Sequence, residues 1–192
     1  MAECSGAGCD RKHLAKGFCK LHYYRVYRGR SIEPVLAVLE KQFKALPKTK
    51  LAYAAGFIDA DGSIMLTNSK LRGVSPRIAA VCIDREPLDF LGGLFGGKPY
   101  QVQRRVRSKF TIWTWHIHGS RAIAAARALM PYLLIKGVQA YLLSCFDYEA
   151  EWTKGGTDVA MPDHEAIRRQ RLVAEMRAWN GRHHLQPAQG IA

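Results

Sequence analysis

The chain has 192 residues, 48% of them hydrophobic, which allows one ordinary packed domain with a small appendage and excludes disorder by composition. Lysine and arginine total 29 against 16 acids, a net charge of +13, so a polyanionic partner is expected; charge alone does not separate DNA from RNA or from an anionic membrane. The longest apolar stretch, Ala122 to Ile135, is interrupted by Arg127 and Pro131 and is too short for a bilayer span, and no charged leader opens the chain, so we expect a soluble, intracellular protein with no membrane partner.

Residues 1–30 are polar and rich in Cys, Gly and basic side chains. Three of the five cysteines fall in the first 19 positions, and an odd count without a leader argues against a disulfide framework. Cys82 and Cys145 stand alone in apolar surroundings and read as buried small hydrophobes. Cys4, Cys9, Cys19 and His22 have the spacing C-x4-C-x9-C-x2-H, a set of thiolates and imidazole that suits tetrahedral Zn2+. Gly6 and Gly8 permit one tight turn and Gly17 the other. So small a segment cannot fold on apolar burial, so a structural zinc would supply most of its stability. His13, inside the loop, ranks below His22 as a ligand. After the last ligand, Lys20, Arg25, Arg28 and Arg30 are interleaved with Tyr23, Tyr24 and Tyr27, which suits phosphate contacts; Arg25 and Arg28 are the DNA-binding candidates. The run Ala-Lys-Gly-Phe-Cys-Lys-Leu-His-Tyr-Tyr-Arg, with Cys-Asp-Arg before it, resembles a zinc-finger module at the ends of phage-type HNH and related endonucleases. That likeness covers about residues 4–30.

Residues 31–50, with Pro34 and Pro47 around Val35, Leu36, Val38, Leu39 and Phe43, read as a linker carrying a short helix. Residues 51–153 carry the pattern of an α+β core. Leu51 to Asp61 predicts a helix ended by Gly62 as its C-terminal cap. Ser63 to Thr67 and Arg77 to Ile83 predict strands, and Pro87 to Phe95 a helix stopped at Gly96-Gly97. Tyr100 to Arg107 and Phe110 to His118 alternate as a hairpin would, and Ser120 to Leu133 and Lys136 to Trp152 predict two further helices. Residues 154–192 are a C-terminal helix and tail, with Asp163 capping a helix to Trp179 whose apolar face is Ile167, Leu172, Val173, Met176 and Trp179. No segment is repeated.

Ala54-Ala55-Gly56-Phe57-Ile58-Asp59-Ala60-Asp61-Gly62 is the sharpest signal. Ala52, Ala55, Gly56 and Asp59 share one helical face with almost no bulk, which would let a second helix approach closely. Asp61 sits at the negative end of the helix macrodipole, where a carboxylate is disfavoured by about 0.3–1 kcal/mol. Two such ends side by side call for a cation. An ordinary helix-ending turn would also use Asp and Gly. A calcium loop counted from Asp59 fails, because Lys70 would stand where a bidentate Glu is required.

This segment, with Gly62-Ser63-Ile64 after it, resembles the LAGLIDADG motif of homing endonucleases, Ala54 and Phe57 standing for two of its leucines. Leu88-Asp89-Phe90-Leu91 leading to Phe95-Gly96-Gly97, and Pro131-Tyr132-Leu133-Leu134-Ile135-Lys136, are similar to later elements of that family, so the likeness runs from about 51 to 152. The resemblance implies a saddle-shaped αββαββα fold whose sheet straddles DNA and whose motif helices form the interface of a homodimer. It implies that Asp61, with the carbonyl of Ala60, binds catalytic Mg2+, that Lys136 lies near the solvent network, and that Asp84 is a candidate to position water. One motif per chain implies a C2 homodimer that cuts both strands of a near-palindromic double-stranded DNA site with 3′ overhangs.

Gln and Arg read adenine and guanine edges, and Gln101, Gln103 and Arg105 share one face of their strand, with Arg77 on an earlier one. Lys70, Arg72, Arg107 and Lys109 complete the expected DNA-binding set. His116 and His118 read as DNA-facing or exposed and not as metal ligands. Two other readings stand beside the nuclease: a catalytically inactive LAGLIDADG-fold nucleic-acid-binding protein (an RNA maturase or transcriptional regulator), and an interaction module whose active part is the finger.

Overall fold

The computed structural model describes residues 4–5, 9, 15–28, 35–69, 73–102, 111–146 and 162–182. Their elements are α1 (Lys20–Tyr27), α2 (Val35–Lys44), α3 (Lys48–Asp61), β1 (Gly62–Ser69), β2 (Gly73–Cys82), α4 (Glu86–Phe95), β3 (Tyr100–Val102), β4 (Ile112–His118), α5 (Ser120–Leu129), α6 (Gly137–Ser144) and α7 (Asp163–Arg182). A 3-10 turn, Met130–Tyr132, follows α5. The fold is α+β, and from α3 to α6 the element order is the one expected from the sequence.

The strands pair antiparallel in the order β1-β2-β4-β3. Side-chain alternation gives the sheet two unlike faces. Ile64, Leu66, Ile78, Ala80, Trp115 and Ile117 are buried toward the helices and join the core. Met65, Thr67, Ser75, Arg77, Val81, Thr114, His116 and His118 occupy the face away from it, by the registers Met65↔Arg77, Arg77↔His118 and Val81↔Thr114. The hairpin expected from Tyr100 onward is present as β3 against β4; residues 103–110 lie outside the described residues.

The core draws on both ends of the chain. Leu39 and Phe43 of α2, in the segment read as a linker, are buried in the same cluster as α3, and the Phe43 ring meets Phe95 edge to face at 5.2 Å. Val173 and Met176 of α7 join it too. Two expectations for α7 are corrected. Asp163 lies inside the first turn, because the Pro162 carbonyl accepts the Ala166 N–H at 3.0 Å. Ile167 is exposed, and the inward positions of that turn are instead taken by Glu165 and Arg169, paired at 2.9 Å, with the guanidinium 4.6 Å from the Phe146 ring centroid. Burial raises the Glu165 pKa, and hydrogen bonds from Arg169 and Arg168 overcome it, leaving the carboxyl below its ordinary 4.5.

Gly62 ends α3, donating its N–H to the Ile58 carbonyl, but its φ of −93° is extended and not left-handed. The helix runs straight into β1, so the glycine answers a different constraint: a Cβ there would lie 2.7 Å from Ile58 Cα. Gly62→Ala is therefore expected to destabilise the fold by about 1–3 kcal/mol, read as a lower urea midpoint at unchanged slope.

Candidate functional site

The C-terminal end of α3 and the turn before α6 are locked to each other. Asp59 is buried, and its carboxylate accepts three backbone N–H groups: Leu134 at 2.6 Å and Ile135 at 3.2 Å on Oδ2, and Lys136 at 2.9 Å on Oδ1. In return, the Lys136 Nζ donates to the Ile58 carbonyl at 2.8 Å and to the Asp59 carbonyl. An ammonium on the last carbonyls of a helix satisfies unpaired acceptors and opposes the negative end of the dipole. Lys136 also occupies the N-cap position of α6, its carbonyl accepting from Ala140 N at 3.0 Å. Burial pushes the Lys136 pKa below its ordinary 10.5, while the charges of Asp59 and Asp61 act against that shift.

Asp61, two residues on, is exposed. Residues two apart on a helix point about 200° apart, so one acid of the pair is spent inside the chain and the other is presented outward. The expected small-residue face is redistributed by the same rotation. Ala55 and Asp59 face inward, and the small residues left exposed on α3 are Ala52, Gly56 and Ala60. A Cβ at Gly56 would meet nothing within 4 Å. Asp84 is exposed in the bend after β2. The register Gly62↔Ala80 places that bend at the sheet end where α3 enters, the end that carries Asp61.

The four expected zinc ligands converge. The donor atoms of Cys4, Cys9, Cys19 and His22 all lie within 4.8 Å of one another. Cys4 Sγ is 3.1 Å from His22 Nδ1 and Cys9 Sγ is 3.9 Å from Cys19 Sγ. A tetrahedral ion about 2.3 Å from sulfur sets its ligands about 3.7 Å apart, so this donor set and spacing are compatible with zinc. A bridge between Ala15 and Phe18 forms the knuckle, with Lys16 at φ 51° and Gly17 at φ 80°. A Cβ at Gly17 would lie 2.9 Å from Ser5 Oγ, so only glycine suits this tight turn. The Cys19 N–H points at Cys4 Sγ at 3.2 Å, and α1 then presents His22.

The expected DNA-binding residues do not all share a surface. Arg77 is on the sheet face away from the helices, with its NH2 group 3.4 Å from His116 Nδ1. Gln101 pairs with Trp113, which puts it on the opposite, helix-bearing face; the parity of the register separates the two. Arg28 is exposed just after α1. Lys70, Arg72, Gln103, Arg105, Arg107, Lys109 and the Arg25 side chain lie outside the described residues, as does His13. Tyr100, which sequence reasoning passed over, shares the Arg77 face and sets its hydroxyl 3.3 Å from His116 Nδ1.

No family model matches the sequence, and no curated protein matches it. Solved structures are similar. One is the homing endonuclease I-CvuI in complex with its target in the presence of calcium, with a TM-score of 0.50 and 18% identity over 74% of this chain and 87% of that one. A second complex of I-CvuI, with uncleaved DNA, gives 0.45 at 17% identity over 68% and 96%. An archaeal intron-encoded homing endonuclease, I-Vdi141I, complexed with DNA gives 0.38 at 15% over 69% and 97%. The first of these places the chain in the LAGLIDADG-endonuclease fold.

The carboxylate clamp predicts the effect of a near-isosteric change. Asp59→Asn turns one acceptor into an NH2 group that must face a backbone N–H, and should cost about 1–3 kcal/mol. Chemical denaturation would measure that loss, and hydrogen exchange should quicken at Leu134, Ile135 and Lys136.

Proposed function

We propose that this chain is a homing endonuclease that works as a homodimer, hydrolysing both strands of a near-palindromic double-stranded DNA site with divalent metal. Asp61 carries the reading. It is the outward acid at the end of α3, beside Lys136 and at the end of the exposed stripe of Ala52, Gly56 and Ala60. A hard divalent cation takes about six oxygen ligands, and one chain offers one acid at this point, so the donor set fits the ion where two copies meet. Ala60, exposed next to Asp61, would contribute its carbonyl. Bound there, Mg2+ would supply Lewis acidity for an in-line phosphodiester displacement. Lys136 steadies developing charge from the position its two carbonyl bonds fix, and Asp84 orients solvent from the neighbouring bend. The sheet face with Arg77 meets the DNA groove, and Lys70, Arg72, Gln103, Arg105, Arg107 and Lys109 are the further candidates for DNA contact. The N-terminal module, residues 1–30, holds one structural Zn2+ on Cys4, Cys9, Cys19 and His22 and adds phosphate contacts from Arg25 and Arg28.

Incubation with a randomised-site plasmid library, with and without magnesium, followed by sequencing of new ends, tests the nuclease. Metal-dependent ends at one near-palindromic sequence are expected. Asp61→Asn should bind duplex and lose several kcal/mol of transition-state stabilisation, about a 1000-fold or greater loss of cutting. Equal cutting by this variant would remove Asp61 from the site; duplex binding without cuts by the native chain would favour the inactive DNA- or RNA-binding alternative.

The zinc module makes a separate prediction. Metal analysis of the purified chain should find about one zinc per chain, and Cys19→Ser should lose it. A zinc chelator should then render Cys4, Cys9 and Cys19 reactive to a thiol reagent. Thiols that react equally before and after chelation would exclude the site.

A further inference from the structure

On the sheet face away from the helices, β2, β3 and β4 bring Arg77, Tyr100, His116 and His118 into one cluster. His116 is its centre. The Arg77 NH2 group lies 3.4 Å and the Tyr100 hydroxyl 3.3 Å from the same ring atom, Nδ1. The Tyr100 ring stands edge-on to the imidazole at 5.4 Å, and His118 stands edge-on at 4.7 Å. A guanidinium has only donors, so Nδ1 must be the acceptor and carry no proton, which fixes the proton of the neutral ring on Nε2. Arg77 is incompletely satisfied even so: its Nε is buried and has no hydrogen-bond partner. A half-buried cation whose NH2 group is held by a neutral acceptor is arranged to exchange that acceptor for an anionic oxygen, which binds a guanidinium more strongly.

We propose that His116 is a positioning residue that, when unprotonated, holds the Arg77 guanidinium on the open sheet face, and that capture of DNA by Arg77 is coupled to proton uptake at His116. The proposal rests on the DNA-binding reading above. A phosphate or guanine oxygen that takes the guanidinium releases Nδ1, and the surrounding phosphates then favour the imidazolium. Among the described residues of the free protein, the groups that face the ring are Arg77 from β2, Tyr100 from β3 and His118 from its own strand. Burial, and then the charge of Arg77, hold His116 below its ordinary 6.5. The sign follows from linkage. A group whose pKa is low in the free protein and higher in the complex binds a proton on association, so affinity rises as pH falls through the window between the two values.

The test is fluorescence anisotropy with a labelled random-sequence DNA duplex at fixed salt between about pH 5 and 8. Affinity of the native chain is expected to rise toward low pH, by up to about tenfold per pH unit for each proton bound. His116→Ala should weaken binding across the range, as should Arg77→Gln. His116→Gln, whose amide oxygen accepts from Arg77 without titrating, should rescue the affinity lost in His116→Ala and should lack the pH slope. In parallel, the His116 ring signals followed by NMR should titrate low in the free chain and higher with saturating duplex. A native slope in His116→Gln, or ring signals that do not move when duplex binds, overturns the coupling. If no duplex binds at any pH, the DNA reading itself fails and this proposal falls with it.

Discussion

The reciprocal clamp between Asp59 and Lys136 organises the end of α3 and the turn before α6. A buried carboxylate is costly unless hydrogen-bonded, and Asp59 meets that requirement with three consecutive backbone N–H groups from a turn 75 and more residues away. The last of those residues then sends its side chain back to the carbonyls of Ile58 and Asp59. Each half of the contact satisfies groups the other half leaves open: unpaired amides before α6, and unpaired carbonyls at the end of α3. The direction of α3 relative to α6 is thereby set by charge-assisted hydrogen bonds as well as by packing, and Lys136 is held beside Asp61 by the fold itself.

Around this clamp the sheet divides labour by parity. Bulky apolar residues fill alternate positions on β1, β2 and β4, and the helices collect on that side. The other side carries Thr67, Ser75, Arg77, Thr114, His116 and His118, with Met65 and Val81 among them. The start of β1 is set by Gly62, which lets α3 pass into the sheet without a loop. The helix end and the sheet face are thus joined by a single peptide, and a displacement of one is felt by the other.

Much of this was legible in the sequence because it depends on local pattern. The α3 boundary, the strand alternation in Phe110 to His118 and the C-x4-C-x9-C-x2-H spacing each follow from near neighbours. What escaped notice depends on distant partners. Helical spacing groups Asp59 with Ala52 and Gly56, because spacing alone cannot tell an exposed small stripe from its buried neighbour. The 200° offset between Asp59 and Asp61 did say that both acids could not face the same way. Phe43 looked like part of a linker because its partner, Phe95, is 52 residues on in sequence. The inward turn of Glu165 and Arg169 in place of Ile167 is not legible in the helix pattern, because a buried ion pair has no signature distinct from an exposed one. The alternation alone cannot separate Gln101 from Arg77, because strand parity cannot be carried between strands without the register.

Stability accounts for most residues at the end of α3, which isolates those it does not account for. Ile58 and Ala55 are core, Asp59 holds a turn, and Gly62 avoids a backbone clash. Gly56 has no such reason. A glycine inside a helix costs about 1 kcal/mol relative to alanine, and a Cβ there would meet nothing within 4 Å. Asp61 likewise takes no part in the packing: it is exposed at the end of α3, with the Lys136 charge acting on it. A glycine with no packing reason and an acid turned outward, on the exposed side of one helix, are choices that packing within a single copy does not explain. The proposed homodimer would explain both, since close helix approach needs the missing Cβ, and two facing carboxylates would together make a cation site that neither makes alone.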